Sequence, residues 1–152
     1  MSGFDGAGSN NVVCFLYTGQ GYFGIPRKVT NTRIDPSVEV ISARAFEGCK
    51  HLVKVNLCEG LLQIGSRAFC YCTSLNYLTI PSTVNRIGFE AFKGCEHLLD
   101  VKICDGLEQI GEWAFRGCKS LKRISFSSTV KRIGVGAFRG CDQLVEVELV
   151  KG

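Results

Sequence analysis

The sequence predicts an α/β repeat solenoid, in which stacked 23-residue coils form a parallel β-sheet on one face and short helical or 3₁₀ turns on the other. Two observations support this fold. First, an Ala-Phe pair recurs every 23 residues from Ala45 to Phe138 without any insertion. Second, each copy carries an isoleucine before this pair, and a cysteine and a leucine after it, at fixed distances. One unit cannot bury these apolar residues alone, whereas stacked units bury them against one another.

Five complete units follow one another between Val38 and Gly152. We number these coils one to five; they span residues 38–60, 61–83, 84–106, 107–129 and 130–152. Among the columns that define these coils, one consists entirely of phenylalanine and another entirely of cysteine. The phenylalanines are Phe46, Phe69, Phe92, Phe115 and Phe138, and the cysteines are Cys49, Cys72, Cys95, Cys118 and Cys141. Equivalent phenylalanines should lie over one another in a single core.

Within each unit, residue patterns predict three short segments. In "LVKVNL" (52–57), apolar and polar residues alternate towards the end, which is typical of a strand with one buried face. After a turn, "LLQIG" (61–65) supplies a second apolar pair and a glycine that tolerates tight or left-handed geometry. "SRAFCYC" (66–72) then predicts a single helical or 3₁₀ turn that directs alanine and phenylalanine inward. Strands of adjacent units should pair in parallel, about 4.8 Å apart.

The chain is expected to have three parts. Residues 1–11, "MSGFDGAGSNN", are interpreted as a flexible tail because they are rich in Gly, Ser and Asn. Residues 12–37 are interpreted as an N-terminal cap with a degenerate repeat, since Phe23, Val29 and Ile34 fall in repeat columns. Residues 38–152 then form the five repeats.

Composition excludes several classes of protein. The longest apolar run, "VVCFLY" (12–17), is far shorter than the roughly 18 residues that span a bilayer. The net charge of +4 is too small to indicate a nucleic-acid-binding protein by itself. The N-terminus has no secretory signal pattern, and the nine cysteines are an odd number, which favours free thiols in a reducing compartment. We therefore expect a cytoplasmic protein without a membrane span.

The repeat resembles a known family. The stretch "VNRIGFEAFKGCEHLLDVKICDGLEQIGEWAFRGCKSLKRISF" (84–126) is similar to the BspA-like leucine-rich repeats, whose units carry the pattern IGxxAFxGCxxLxxVxL. The resemblance extends over residues 38–152. It implies a right-handed leucine-rich-repeat superhelix with a parallel sheet on one face. Bacterial members resemble surface adhesins, although the present N-terminus lacks an export signal.

The paired cysteines of "AFCYC" (68–72) suggest a metal or redox site at first sight. Cys72, however, belongs to the packing column, where a free cysteine behaves as a small apolar residue. Cys70 and Tyr71 replace a charged residue and a glycine of the other units, and they are candidates for a local contact patch. Two thiolates without a second pair are poor zinc ligands, so no metal or cofactor is expected.

Enzymatic activity has one remote candidate. His51, Ser74, His97 and Ser120 share a column, so a serine and a histidine can be neighbours on adjacent coils. A hydrolase also needs an orienting acid and an oxyanion pocket. The acids nearby in sequence, Glu96 and Asp142, lie one column away, and the shared column is expected to be solvated surface. We therefore expect a protein that is not an enzyme.

A basic band offers a second class of function, the binding of an anionic polymer. Between Trp113 and Cys141 the chain carries seven basic residues and no acid. They are Arg116, Lys119, Lys122, Arg123, Lys131, Arg132 and Arg139. Because the repeat distributes them over several faces, a nucleic acid or another polyanion is an alternative partner and not the preferred one.

The preferred function is protein–protein interaction through the outward residues of the predicted sheet, which differ from coil to coil. These candidates are Lys54, Asn56, Tyr77, Thr79, Asp100, Lys102, Arg123, Ser125, Glu146 and Glu148. Trp113 is either an exposed contact residue or a cover for the adjacent coil. The C-terminal coil carries no recognisable polar cap, which leaves two alternatives open: the natural chain continues, or this end takes part in end-to-end self-association. The sequence does not identify the protein partner.

Overall fold

The 23-residue spacing sets the pairing of the strands in the structure. The computed structural model describes residues 11–150, so the predicted tail of residues 1–11 lies, except for Asn11, outside the described residues. Twelve short strands and one 3₁₀ turn (Tyr22–Gly24) occur in this range. The strands are β1 (Cys14–Tyr17), β2 (Asn31–Ile34), β3 (Val40–Ile41), β4 (Lys54–Asn56), β5 (Gln63–Ile64), β6 (Tyr77–Ile80), β7 (Arg86–Ile87), β8 (Asp100–Ile103), β9 (Gln109–Ile110), β10 (Arg123–Ser127), β11 (Arg132–Ile133) and β12 (Glu146–Val150).

All strand pairing is parallel within residues 11–150, and the molecule is a parallel-strand solenoid of about five turns. Strands β3, β5, β7, β9 and β11 form a continuous five-stranded sheet on one side. The longer strands lie on a second side. There Arg123 pairs with Asp100 on one neighbouring strand and with Glu146 on the other, which is the register that the repeat requires. Side chains alternate between the core and the surface, so Leu78 and Ile80 are buried while Tyr77 and Thr79 are exposed.

The sheet of longer strands is interrupted, which the repeat pattern does not predict. Its strands form a three-stranded sheet, β1-β2-β4, and a four-stranded sheet, β12-β10-β8-β6. At the boundary, the amide of Asn76 reaches the carbonyl of Val53 only at 3.4 Å. The equivalent amide of Leu99 donates to Asn76 at 2.8 Å. Coils one and two are therefore held more loosely on this side than coils two and three.

The third side of each coil is not helical, so the predicted helical or 3₁₀ face is wrong. In coil one, the amides of Ala45, Glu47 and Cys49 close successive turns on carbonyls three residues earlier. The intervening amides of Arg44 and Phe46 instead donate to carbonyls of coil two. A 3₁₀ helix would direct every amide back into its own segment. Here alternate amides join neighbouring coils, and a chain of hydrogen-bonded turns replaces the helix.

The phenylalanine column forms the centre of the core. Consecutive rings from Phe46 to Phe138 are stacked with centroids 5.0, 5.2, 5.2 and 5.5 Å apart and interplanar angles of 4–7°. Tyr17 extends this stack at the N-terminal end, where its ring centroid lies 5.2 Å from that of Phe46. The Tyr17 hydroxyl accepts a hydrogen bond from the amide of Ser42 at 3.1 Å. The residue is fully buried, although no repeat column indicates it.

The glycines that follow the second apolar pair of each coil allow close contact between coils, whereas the sequence suggests a tight or left-handed turn there. Gly65, Gly88 and Gly111 are not in the left-handed region, but a Cβ atom on each would lie within 2.9 Å of backbone atoms of the preceding coil. At Gly88 the nearest such atom is the amide nitrogen of Ser66, at 2.7 Å. The column therefore requires glycine because two backbones approach closely, and not because a left-handed turn is needed.

Removing one ring from the stack should strongly destabilise the protein. Phe92 is fully buried between Phe69 and Phe115, so Phe92→Ala removes contacts on both sides and leaves a cavity. We expect the free energy of unfolding to fall by about 3–5 kcal/mol. The matched control is Phe89→Ala, because Phe89 lies in the same coil and is 44% exposed. Denaturant unfolding measures both variants, and equal losses would contradict the stacked core.

A methyl group at the close approach should also destabilise the fold. Gly88 lies in coil three, and Gly88→Ala places Cβ against backbone atoms of the preceding coil, coil two. We expect a loss of at least about 2 kcal/mol in unfolding free energy. Gly21→Ala is the control, since a Cβ there meets nothing within 4 Å. Thermal unfolding of both variants provides the comparison. A Gly88→Ala melting temperature equal to that of Gly21→Ala would show that the coils can separate without cost.

Candidate functional site

The outward side chains of the longer strands form two rows on one face of the solenoid. The register of β6, β8, β10 and β12 places Tyr77, Asp100, Arg123 and Glu146 side by side. The second row contains Thr79, Lys102, Ser125 and Glu148. We call the surface made by these eight residues, together with Lys54 and Asn56 of β4, the sheet face. All ten residues predicted from the sequence thus lie on this one surface.

Two adjoining depressions cover the sheet face. The larger, of about 590 Å³, is lined by both rows from Tyr77 to Glu148. The smaller, of about 440 Å³, lies where the two sheets part, between Lys54 and Asn56 on one side and Tyr77 and Thr79 on the other. Tyr77 borders both depressions and is 64% exposed. The interruption of the sheet therefore adds a crevice beside the largest outward side chain of this surface.

The charges of the sheet face are balanced. The Nε atom of Arg123 lies 3.3 Å from a carboxylate oxygen of Asp100, and Glu146 is the strand neighbour of Arg123 on the opposite side. This cross-strand arrangement places opposite charges next to each other. Three basic and three acidic residues occupy the ten positions. The surface is suited to short-range polar contacts, and it has no excess charge that would attract a polyanion.

A ladder of ion pairs occupies the corner where the turns begin. Glu47 contacts Arg44 at 3.7 Å and Arg67 at 3.0 Å, and Glu90 contacts Arg67 at 3.3 Å and Lys93 at 2.6 Å. The Arg67 Nε contact with Glu90 is electrostatic and lacks hydrogen-bond geometry. Glu90 is only 8% exposed, and its hydrogen bond raises the pKa of Lys93. Opposite charges on successive coils thus stabilise one another.

The corner also shows where Cys70 and Tyr71 lie. Cys70 is fully buried, and burial raises the pKa of its thiol although the adjacent Arg67 acts in the opposite direction. It cannot take part in a surface contact, so the predicted contact patch is wrong for this residue. Tyr71 is 43% exposed and has a φ of 58°. Its ring covers the backbone of Gly94, where a Cβ would meet ring atoms.

The cysteine column is packed in the core and makes a further contact that the repeat pattern does not indicate. The thiol of Cys72 donates to the carbonyl of Phe46 at 3.1 Å, and the thiol of Cys95 donates to that of Phe69 at 3.2 Å. Cys118 continues the series. Each thiol therefore joins its coil to the preceding one. All nine cysteines are free.

The serine and histidine of the shared column do not bond to each other. Ser74 donates to the carbonyl of Lys50 at 2.6 Å, and His97 Nδ1 lies 2.7 Å from the carbonyl of Thr73. Both side chains thus bind backbone atoms of the preceding coil. Within residues 11–150, no group of three or more His, Cys, Asp or Glu residues could hold a metal ion. No helix in this range is long and apolar enough to cross a membrane.

Comparison with known proteins gives a family. A model of the BspA type leucine rich repeat region matches residues 18–150 in six copies. The chain belongs to this family. The match begins before the five complete coils, and the BspA-type repeat therefore includes part of the N-terminal region. Comparison with the curated proteins gives no match.

Solved structures of bacterial leucine-rich repeat proteins are similar to this chain. A leucine rich cell surface protein from Faecalibacterium prausnitzii is 31% identical with a TM-score of 0.78; the match covers 82% of this chain and 34% of that protein. The leucine-rich repeat protein of T. pallidum is 26% identical with a TM-score of 0.78, and the match covers 92% and 71%. One from Eubacterium ventriosum, 23% identical with a TM-score of 0.74, shares the fold over 80% and 33%. The chain thus spans about a third of the F. prausnitzii protein.

The buried thiols of this BspA-type array should make its stability depend on pH. Burial raises the pKa of Cys72 and Cys95 in the folded protein. The adjacent thiol of Cys141, together with burial, raises the pKa of Cys118. In the unfolded chain a thiol ionises near pH 8.5. Above that pH the unfolded state binds fewer protons than the folded state, so stability is complete below pH 8.5 and falls as the pH rises.

Each thiol that stays protonated should lower the unfolding free energy by about 1.4 kcal/mol per pH unit above pH 8.5. We expect Cys95→Ser, which keeps a donor for Phe69, to show a shallower decline between pH 8 and pH 10 than the parent protein. Denaturant unfolding across this pH range gives both slopes. Identical slopes would show that Cys95 ionises equally in the folded and unfolded states.

Proposed function

We propose that this BspA-type repeat is a non-enzymatic scaffold that binds another protein through the sheet face. One observation carries the proposal: ten outward side chains that vary from coil to coil lie in two rows on a single surface with two adjoining depressions. A parallel sheet holds these positions rigidly, so little conformational entropy is lost when a partner binds. This is the kind of surface that stacked repeats offer for recognition.

The chemistry of the sheet face favours a protein over a small molecule. The depressions are broad and lie on an open sheet, whereas small-molecule sites enclose most of their ligand. Tyr77 is a large exposed side chain near the middle of the surface, and tyrosines are frequent among the residues that dominate binding energy. Around it, charges of both signs and amide groups supply short-range polar contacts. A protein partner with complementary charges fits this pattern.

A surface adhesin-like module is the second candidate. It is favoured by the F. prausnitzii neighbour, which is described as a cell surface protein. The binding surface would be the same in both cases, and only the location of the partner would differ. Binding of an anionic polymer is the weaker alternative, because Lys119, Arg123 and Lys131 of the basic band already pair with carboxylates at 2.9, 3.3 and 3.0 Å.

The sheet face can be tested by replacing its central residues. We expect the double variant Tyr77→Ala/Asp100→Ala to lose at least tenfold in affinity for a partner, since both residues line the larger depression. Partners are first captured from an extract on the immobilised protein and identified by quantitative mass spectrometry. The affinity of each purified partner is then measured at constant salt for the parent and the variants.

The matched control is Arg132→Ala/Lys131→Ala, because both residues are exposed on the other side of the coil. A partner of the sheet face should bind this control as it binds the parent. Equal affinity of a partner for the parent and for Tyr77→Ala/Asp100→Ala would contradict the proposal for that partner. Binding that disappears between 50 and 200 mM salt in every variant would favour the polyanion alternative.

A further inference from the structure

The corner of the solenoid contains two columns whose charges change along the array. The first column holds Arg44, Arg67, Glu90, Trp113 and Gly136, and the second holds Glu47, Cys70, Lys93, Arg116 and Arg139. In coils one to three, acids and bases of the two columns pair with one another, as described above. In coils four and five the two columns contain two arginines and no carboxylate. The ladder of alternating charge therefore stops after Lys93.

Arg116 and Arg139 have no carboxylate partner in the part of the chain that the structure describes, residues 11–150. Their guanidinium carbons lie 4.5 and 5.8 Å from the ring centroid of Trp113. Two acids lie close in sequence, Glu112 four residues before Arg116 and Asp142 three residues after Arg139. Both are exposed, and neither forms an ion pair with either arginine within residues 11–150. Lys93, the next base along the column, is already paired with Glu90. Two unneutralised positive charges thus meet at one indole.

Trp113 is the side chain that both arginines share as a neighbour. Its ring lies against the backbone of Gly136, where an added Cβ would be 2.8 Å from Cε3. The indole is half-buried and covers the backbone of the adjacent coil at Gly136, and it is not a fully exposed side chain. A guanidinium over an aromatic ring is attracted to the ring face and keeps its in-plane N–H donors for another partner. The structure therefore places both guanidiniums beside the indole without any ligand.

Within the basic band of the sequence, one pair of residues differs from the rest in its surroundings. Of its seven basic residues, Lys119, Arg123 and Lys131 form ion pairs. Lys122 and Arg132 have none within residues 11–150, but they do not share an aromatic neighbour with another base. Only Arg116 and Arg139 combine a missing counter-charge with a common platform. We call Trp113, Arg116 and Arg139 the arginine corner.

We propose that the arginine corner binds a phosphate monoester. A phosphate monoester carries a charge of about −1.5 to −2 at neutral pH and three terminal oxygens, which match two guanidiniums in charge and in bidentate hydrogen bonding. It would supply the negative charge that Glu47 and Glu90 supply in the earlier coils. The site lies on the turns, away from the sheet face, and so adds a function to the proposed protein binding.

The test uses intrinsic fluorescence, because Trp113 is the only tryptophan and lies in the site itself. Methyl phosphate is titrated into the full chain at pH 7.5, with sodium chloride adjusted to constant ionic strength. We expect a saturable change in tryptophan emission that yields a Kd. Since the second pKa of a phosphate monoester is near 6, the Kd should rise roughly tenfold at pH 5, where the dianion is scarce. No saturable change at pH 7.5 overturns the proposal.

Three variants locate the binding. Arg116→Gln/Arg139→Gln should abolish the response, and Arg116→Lys/Arg139→Lys should weaken it at least about fivefold, because lysine keeps the charge but loses the planar fork. The matched control, Lys122→Gln/Arg132→Gln, removes the same charge from two other bases without ion pairs and should bind as the parent does. Circular dichroism verifies that each variant is folded. An unchanged Kd in the glutamine pair overturns the proposal.

Two further probes distinguish the monoester from other anions. Methyl sulfate has the same shape but one negative charge, and dimethyl phosphate has a diester group of the kind found in nucleic acids and phospholipids. We expect both to bind at least about tenfold more weakly at pH 7.5, and neither to lose affinity at pH 5 through its own titration. Equal Kd values for all three probes would mean general attraction to anions and would overturn the assignment to a phosphate monoester.

Discussion

The backbone hydrogen bonds between neighbouring coils are the constraint on which the rest of the structure depends. They run along three sides of the solenoid, through the two sets of strands and through alternate amides of the turns such as those of Arg44 and Phe46. A coil can satisfy them only if it has the same length as its neighbours, because one inserted residue would misalign every donor that follows. The invariant period of the sequence is the consequence. The same close stacking leaves no room for a Cβ atom at Gly88.

This constraint separates residues that must repeat from residues that are free to change. Phenylalanine, cysteine and leucine face the stacked interior, where any change of size is felt by the coils above and below. The outward positions of the strands and most positions of the two corner columns point to solvent or to their lateral neighbours, and here the residue types vary along the array. Differences between coils are thus confined to surfaces, which is where both the sheet face and the arginine corner lie.

The sequence predicts the parts of the structure that follow from periodicity and misses those that depend on local geometry. The repeat places Phe92 in a stack and Tyr77 on a row of outward residues, because both follow from the spacing alone. It does not reveal that alternate amides of the turns join different coils, so the helical face expected there is absent from the structure. Nor does it predict the crevice between β4 and β6, since the strand pattern is regular across that boundary.

Side-chain partners at the corner escape sequence analysis for a related reason. Arg67 and Glu90 occupy the same column, and their contact follows from stacking. The contact of Arg67 with Glu47 joins two different columns, which the spacing of one column does not predict. The sequence also gives little sign of the left-handed φ of Arg67 and Glu90, because Gly136 is the one glycine in their column. A glycine in a column otherwise filled by larger residues is the sequence signal for this geometry.

The two corner aromatics show how one coil determines what the next can carry. Tyr71 lies over Gly94 and Trp113 lies over Gly136, and in both cases a Cβ on the glycine would collide with the ring. An aromatic side chain at this edge therefore requires glycine at the equivalent position of the next coil. Trp113 thus removes the side chain, and with it any carboxylate, from the position that would neutralise Arg139. Trp113 itself takes one position of this column and leaves the next to glycine, so neither position holds a carboxylate beside the two arginines.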